Sequence, residues 1–248
     1  MGIKSSMPFA AEVLPTSSTA LESRSAQPIG AACPPSSGMR RLYRMVGSGY
    51  RARRAQWLKE QFGHCRSVLD LGGTFDFWLN AQWKPEELVL LNLDPPPTRL
   101  PLPCTYHQGD ALAVPFPEKS FDLAFSNSVI EHVPDQAKFA SEMLRLGKRV
   151  YCQTPSRWCP IEPHYLTLFF HWLPRRWFTH FVHRWLTLQG LKEKPTREDT
   201  AALRAEINLL GKRQLRQLFP GCKIRTEWLV PYLAPKSYVV TRDVPGAD

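Results

Sequence analysis

Apolar residues along this chain gather in short runs that stop at a glycine, an acid or a proline, with amphipathic stretches between them. "SVLDLGG" (67–73) is an apolar run closed by two glycines. "ELVLLNLD" (87–94) and "CTYHQGD" (104–110) end in an acid, "FDLAFSNSV" (121–129) continues the series, and "KRVYCQTP" (148–155) is stopped by proline. Runs this short and this continuous predict strands covered on both faces, as in a parallel sheet. Between them, "PDQAKFASEMLRLG" (134–147) has helical spacing and a glycine stop, and "FWLNAQW" (77–83) shows a weaker form of it. Farther on, "NLLGKRQLRQLFPG" (208–221) predicts a helix, and "KIRTEWLVPY" and "KSYVVTR" predict a final antiparallel strand pair.

Strands alternating with helices imply an α/β fold: a doubly wound, mostly parallel, seven-stranded sheet with helices on both faces. Ligands of such sheets bind beyond the carboxyl ends of the strands, where the strand order reverses. Asp70, Asp94, Asp110 and Ser126 lie at or near the ends of successive predicted strands, so one cleft can collect all four. A single aspartate at a strand end is most often a turn former or a helix cap. Three in consecutive strands, at positions that converge in this topology, point instead to a ligand.

The remaining segments differ in character. Residues 1–38 are rich in Ser, Pro and Ala without periodicity, and predict a disordered leader ahead of one domain spanning 39–248. "SRWCPIEPHYLTLFFHWLPRRWFTHFVHRWLTLQG" (156–190) is crowded with aromatic, Arg and His residues, and 156–206 is expected to form a helical lid or insertion. A lid over an apolar acceptor is the favoured expectation for it; a helix pair meeting a membrane surface through 165–186 is the other. The formal net charge of +10 raises a polyanion partner. Between Gly38 and Arg66, however, eight basic residues face one acid, so most of the excess belongs to one leading segment, expected to be a helix with a solvated basic face. Six cysteines without paired spacing argue against a zinc site or a secreted disulfide framework and for a reducing, cytoplasmic setting. His164, His171, His180 and His183 have no evident further ligands, and no metal is expected. Nothing in the sequence speaks to oligomeric state.

The chemistry narrows further at the first strand end. "DLGGTFDF" is not the G-x-G-x-x-G of a pyrophosphate loop, and the chain holds no G-x-x-x-x-G-K-[ST]. A cofactor without phosphates asks for less: a close backbone approach, an acid for an ammonium and an acid for ribose hydroxyls. Asp70 with Gly72 and Gly73 can supply the first two and Asp94 the third, while Asp110 can meet an adenine amino group.

"VLDLGG", then "LNLD", then "GDALAVPFPEKSFDLAFSNSVIEHV" resemble the successive motifs of class I S-adenosylmethionine-dependent methyltransferases, nearest to the small-molecule group called methyltransferase type 11. The resemblance runs from about residue 60 to 155 and continues more loosely to the last strands. It implies a Rossmann-like domain with S-adenosylmethionine as cofactor. Asp70, Gly72 and Gly73 would take the methionine end, Asp94 the ribose, Asp110 and Ala111 the adenine, and Ser126 would line the cleft floor. The departure is in the first motif, where the family's D-x-G-x-G-x-G reads D-L-G-G-T-F-D, so the Phe75 ring must point away from the cofactor or block it.

The expected activity is methyl transfer to a small or lipid-like acceptor, at oxygen or nitrogen. His132 stands where a general base could face the acceptor, or it caps the next helix; Glu131 is expected to be structural. A nucleic-acid substrate is disfavoured, because "SNSV" stands where a base-modifying enzyme would carry an N-P-P-Y-like tetrad. A non-catalytic relative acting as a scaffold or membrane-surface binder is the remaining alternative.

Overall fold

The computed structural model describes residues 52–81, 83–100, 103–162, 167–168 and 207–243, with positions 172, 174, 177 and 205. These residues fall in one compact unit, Cys33–Asp248. The leader and most of the aromatic insertion, including nearly all of 165–186, lie outside the described residues.

Seven strands form one sheet: β1 (Ser67–Leu71), β2 (Glu87–Asn92), β3 (Thr105–Gln108), β4 (Phe121–Asn127), β5 (Gly147–Pro155), β8 (Lys223–Val230) and β9 (Ala234–Arg242). Their order is β3-β2-β1-β4-β5-β9-β8. The first five pair in parallel, and β9 runs antiparallel to both β5 and β8. The doubly wound sheet and its antiparallel closing pair are therefore as the sequence predicts. Strand order reverses between β1 and β4, which puts a crevice at their carboxyl ends. A small ribbon of β6 (Ile161–Glu162) and β7 (Thr167–Leu168) follows β5.

Alternation along each strand divides the core into two layers. Leu69, Leu71, Leu91, Ala124 and Val150 point to one face, where α3 (Gln136–Leu146) delivers Phe139 and Met143 and α4 (Lys212–Leu218) delivers Leu215. Val68, Leu90, Phe125 and Tyr151 point to the other face, covered by Leu58 and Phe62 of α1 (a helix over 52–62) and Trp78 of α2 (Phe75–Leu79). Tyr151 stacks flat on Phe125 at 4.9 Å, so this layer continues from β4 to β5.

The helices depart from their predicted limits. α2 starts ahead of the expected 77–83 stretch, at Phe75, and closes after Leu79 at the C-cap Asn80, with Trp78 buried. α4 starts at Lys212: the residues before it are extended, and Leu210 bridges Ser156. The leading basic helix is likewise not wholly solvated. Arg54 turns into the fold and forms an ion pair with Glu227 of β8.

Candidate functional site

The carboxyl ends of β1 to β4 are stitched together by the residues that stop the strands. Gly72 takes φ +77°, a conformation strained for any side chain, and its N–H donates to the Leu91 carbonyl at 2.7 Å. The Asn92 amide donates to the Gly73 carbonyl at 3.1 Å, and Gly109 N–H donates to the Asn92 carbonyl at 2.8 Å. The Ser126 hydroxyl donates to the Leu71 carbonyl at 3.2 Å. Loops after three parallel strands are thus tied to one residue, Asn92, at the edge where the sheet order makes its crevice.

Asp70 lies beneath the glycine turn and is 1% exposed. The Trp78 indole N–H donates to its Oδ2 at 2.7 Å, whereas Oδ1 is buried without a hydrogen-bond partner. A Cβ on Gly73 would meet Asp70 Oδ2 at 2.0 Å, so glycine is what lets the backbone settle over the carboxyl. Burial raises the Asp70 pKa from its ordinary value and the indole N–H draws it back, leaving it at about 7. An oxygen held in this state has an unfilled requirement for a donor, and a cation satisfies it best.

The other predicted acids sit in contrasting surroundings. Asp94 is exposed just past β2; its carbonyl accepts from the Tyr106 hydroxyl at 2.9 Å, and its N–H reaches Asn92 Oδ1 at 3.4 Å. Asp110 is exposed past β3, and its Oδ1 accepts from Leu112 N–H at 2.8 Å, a turn-forming bond. Ala111 beside it is buried in the core layer under α3. Ser126 is buried and spent on the β1 carbonyl, so it ties the floor together. The three acids, both glycines, Ala111 and Ser126 all belong to this one edge.

Past β4, Val129 packs against Gly72, and His132 N–H donates to the Val129 carbonyl at 2.8 Å, leaving the imidazole exposed. α3 is capped by Asp135, whose carboxylate accepts from Lys138 N–H at 2.9 Å. Glu131 is fully buried and accepts from the Thr154 hydroxyl at 2.9 Å, binding the turn to β5 as a structural group.

The departure in the first motif has a physical resolution. Phe75 stacks on Tyr106 at 5.9 Å and Phe77 leans on Phe125 at 4.8 Å, so strand side chains take up both rings. Trp78 of the same segment supplies the hydrogen bond to Asp70. The sequence reading missed Trp78 and Asn92. Asn92 could have been found as the polar residue breaking "LVLLNLD"; nothing in the pattern marks Trp78, since a tryptophan on a helical face reads as core. Among the described residues no three potential metal ligands gather, and no helix is long and apolar enough to cross a membrane.

A family described as a methyltransferase domain matches residues 46–149. The demethylmenaquinone methyltransferase of Roseiflexus castenholzii is 36% identical over 121 residues, covering 44% of this chain and 49% of that protein. A probable chloroplastic tocopherol O-methyltransferase of Oryza sativa subsp. japonica is 41% identical over 58 residues, covering 22% of this chain and 15% of its own length. The chain spans about half the length of the first of these relatives and less of the second. Among solved structures, a possible histamine N-methyltransferase of Thermotoga maritima superposes with a TM-score of 0.51 at 15% identity, covering 82% of this chain and 93% of that one, a likeness of fold.

Proposed function

We propose that this chain is a class I S-adenosylmethionine-dependent methyltransferase that moves a methyl group onto an oxygen or nitrogen of a small, lipid-like acceptor. The observation that carries the proposal is Asp70, a buried carboxylate under a glycine turn with one oxygen left unpartnered. The arrangement suits a sulfonium nucleoside: Asp70 would hold the ammonium of the methionine end, Gly72 and Gly73 let the backbone approach, Asp94 pairs with ribose hydroxyls, and Asp110 with Ala111 flanks the adenine. When bound, S-adenosylmethionine supplies an already activated methyl. The protein is left to align the acceptor and exclude water. His132, exposed at the turn after β4, can take the acceptor's proton on its imidazole. The acceptor class follows the relatives named for demethylmenaquinone and tocopherol.

Titration calorimetry with S-adenosylhomocysteine tests the cofactor site. Wild type is expected to bind, and Asp94→Ala to bind about 10- to 100-fold more weakly, the effect of losing hydrogen bonds to a charged group. A well-folded wild type that takes up no heat overturns the proposal and leaves a scaffold. Incubation with S-adenosylmethionine and a lipid extract, read by mass spectrometry for methylated products, identifies the acceptor.

A further inference from the structure

Among the described residues, the two most exposed large apolar side chains, Tyr232 and Leu233, stand together beyond one edge of the sheet. β9 pairs with β5 only as far as Ser237 opposite Pro155, yet the β8–β9 hairpin continues past that row to Val230 opposite Ala234. Its tip therefore projects beyond the carboxyl end of β5, the same edge that carries Asp70, Asp94 and Ser126. On that tip Tyr232 is 88% exposed, Leu233 83% and Val230 47%. Trp228 leans on the Tyr232 ring at 5.6 Å, which stiffens the projection.

A second group stands beside it. The chain leaving β5 is tied to the hairpin by Ser156 N–H, which donates to the Lys236 carbonyl at 3.0 Å. Two residues on, Trp158 is 55% exposed; it lies 6.2 Å from the ring of Trp172, which is 45% exposed and donates its indole N–H to the Arg157 carbonyl. The Arg157 guanidinium lies over Trp158 at 6.0 Å. Gly211 sits against the Trp158 indole, and α4 opens there with Lys212 and the exposed Arg213. Tryptophan and tyrosine rimmed by Arg and Lys are the side chains that settle at a membrane–water interface.

We propose that this edge docks on an anionic phospholipid bilayer, with the Tyr232–Leu233 tip entering the boundary between headgroups and chains while Arg157, Lys212 and Arg213 face lipid phosphates. A second copy of the chain fits the surface poorly. The projection is a narrow turn, whereas a stable dimer buries about 800 Å² per partner. A symmetric contact would also bring Arg157, Lys212 and Arg213 of one copy up against the same cations of the other. Docking in this orientation turns the cleft mouth to the bilayer, where a lipid-like acceptor is dissolved, and that consequence rests on the function proposed above.

The test uses the full chain in flotation with vesicles of phosphatidylglycerol and phosphatidylcholine, and with phosphatidylcholine alone. Wild type is expected to float with the anionic vesicles, less so as salt rises, and hardly at all with the neutral ones. Tyr232→Ser combined with Leu233→Ser should lower partitioning on the order of 10-fold or more, because the inserted apolar surface is lost. Arg157→Glu with Arg213→Glu should weaken binding to anionic vesicles alone. Absence of wild type from the anionic fraction overturns the proposal, as does a tip variant that floats like wild type. A dimer in sedimentation that the tip variant abolishes also overturns it, and reassigns the surface to contact between copies. S-adenosylhomocysteine titration on the same samples separates the two proposals. Vesicle binding without nucleoside binding upholds the docking and sinks the function; nucleoside binding without vesicle binding does the reverse.

Discussion

Two carboxylates turned into the fold, Asp70 and Glu227, have been given opposite company. Glu227 meets the guanidinium of Arg54 through two nitrogens and also accepts from the Ser237 hydroxyl. Burial pushes its pKa up, but the Arg54 hydrogen bond and charge, with help from Ser237, more than offset that and hold it below the ordinary value. Asp70 has one indole N–H and no countercharge, and burial wins. Glu227 is complete within the protein and fixes a helix to the sheet. Asp70 is complete only with something added, and it lies under the glycine turn. Whether a buried acid is structural or functional is decided here by whether its requirements are met from within.

The largest effect should come from breaking the complete pair. The side chains of Arg54 and Glu227 are 11% and 15% exposed, and Arg54 also donates to Asn127 Oδ1 at 3.2 Å and to Ser237. Arg54→Met strands a carboxylate and is expected to destabilise the fold by about 3–5 kcal/mol in urea denaturation. Adding Glu227→Gln should recover a large part of that, since no uncompensated charge is then left. A single variant as stable as wild type would show that Arg54 does not anchor α1.

This pair also shows where the sequence stops being readable. The strands were legible because a fully buried strand must be continuously apolar and must stop where backbone turns, so glycines and acids mark its ends. That logic located the sheet and every acid of the candidate site. Arg54 was hidden in a basic run in which it resembles its neighbours, and its partner lies 173 residues away. Trp78 was hidden for a related reason: its packing explains it so well that a hydrogen bond from the same ring leaves no separate mark. Side-chain pairing across the fold has no period along the chain.

A smaller effect, on folding stability as well as on binding, is expected from filling the space over the incomplete acid. Gly73→Ala puts a methyl 2.0 Å from Asp70 Oδ2, whereas at Gly109 a Cβ would only touch Leu91 Cδ1 at 3.7 Å. Forcing atoms into a packed site costs about 1–3 kcal/mol. S-adenosylhomocysteine affinity should fall about 10- to 100-fold in Gly73→Ala and stay near wild type in Gly109→Ala. Equal losses at the two glycines would remove the special standing of the turn over Asp70.

The finest test changes only the donor to Asp70. Trp78→Phe keeps a ring in the core layer and removes the N–H bonded to Oδ2. The acids of the adjoining strands, Glu87 and Asp122, lie at the opposite, amino ends of β2 and β4, so no charged group on those strands competes with the indole. An unfolded aspartate titrates near 3.9, and Asp70 in the folded chain at about 7. Between roughly pH 4 and pH 7 the folded chain therefore holds a proton that the unfolded chain has released, and stability from this group falls as pH rises. Glu227 acts in the opposite sense: its contribution is present above about pH 4.3 and is lost as pH falls through its depressed folded value. Nucleoside affinity should run against the Asp70 stability trend, rising through pH 7 as the carboxyl ionises to meet the ammonium. Without the indole N–H the Asp70 pKa climbs further. Trp78→Phe should then bind about 10-fold more weakly at neutral pH and recover in more alkaline buffer, while Asp70→Asn shows no such rise. A Trp78→Phe profile parallel to wild type at every pH would mean that the indole only packs, and that the glycine turn alone sets the state of the acid beneath it.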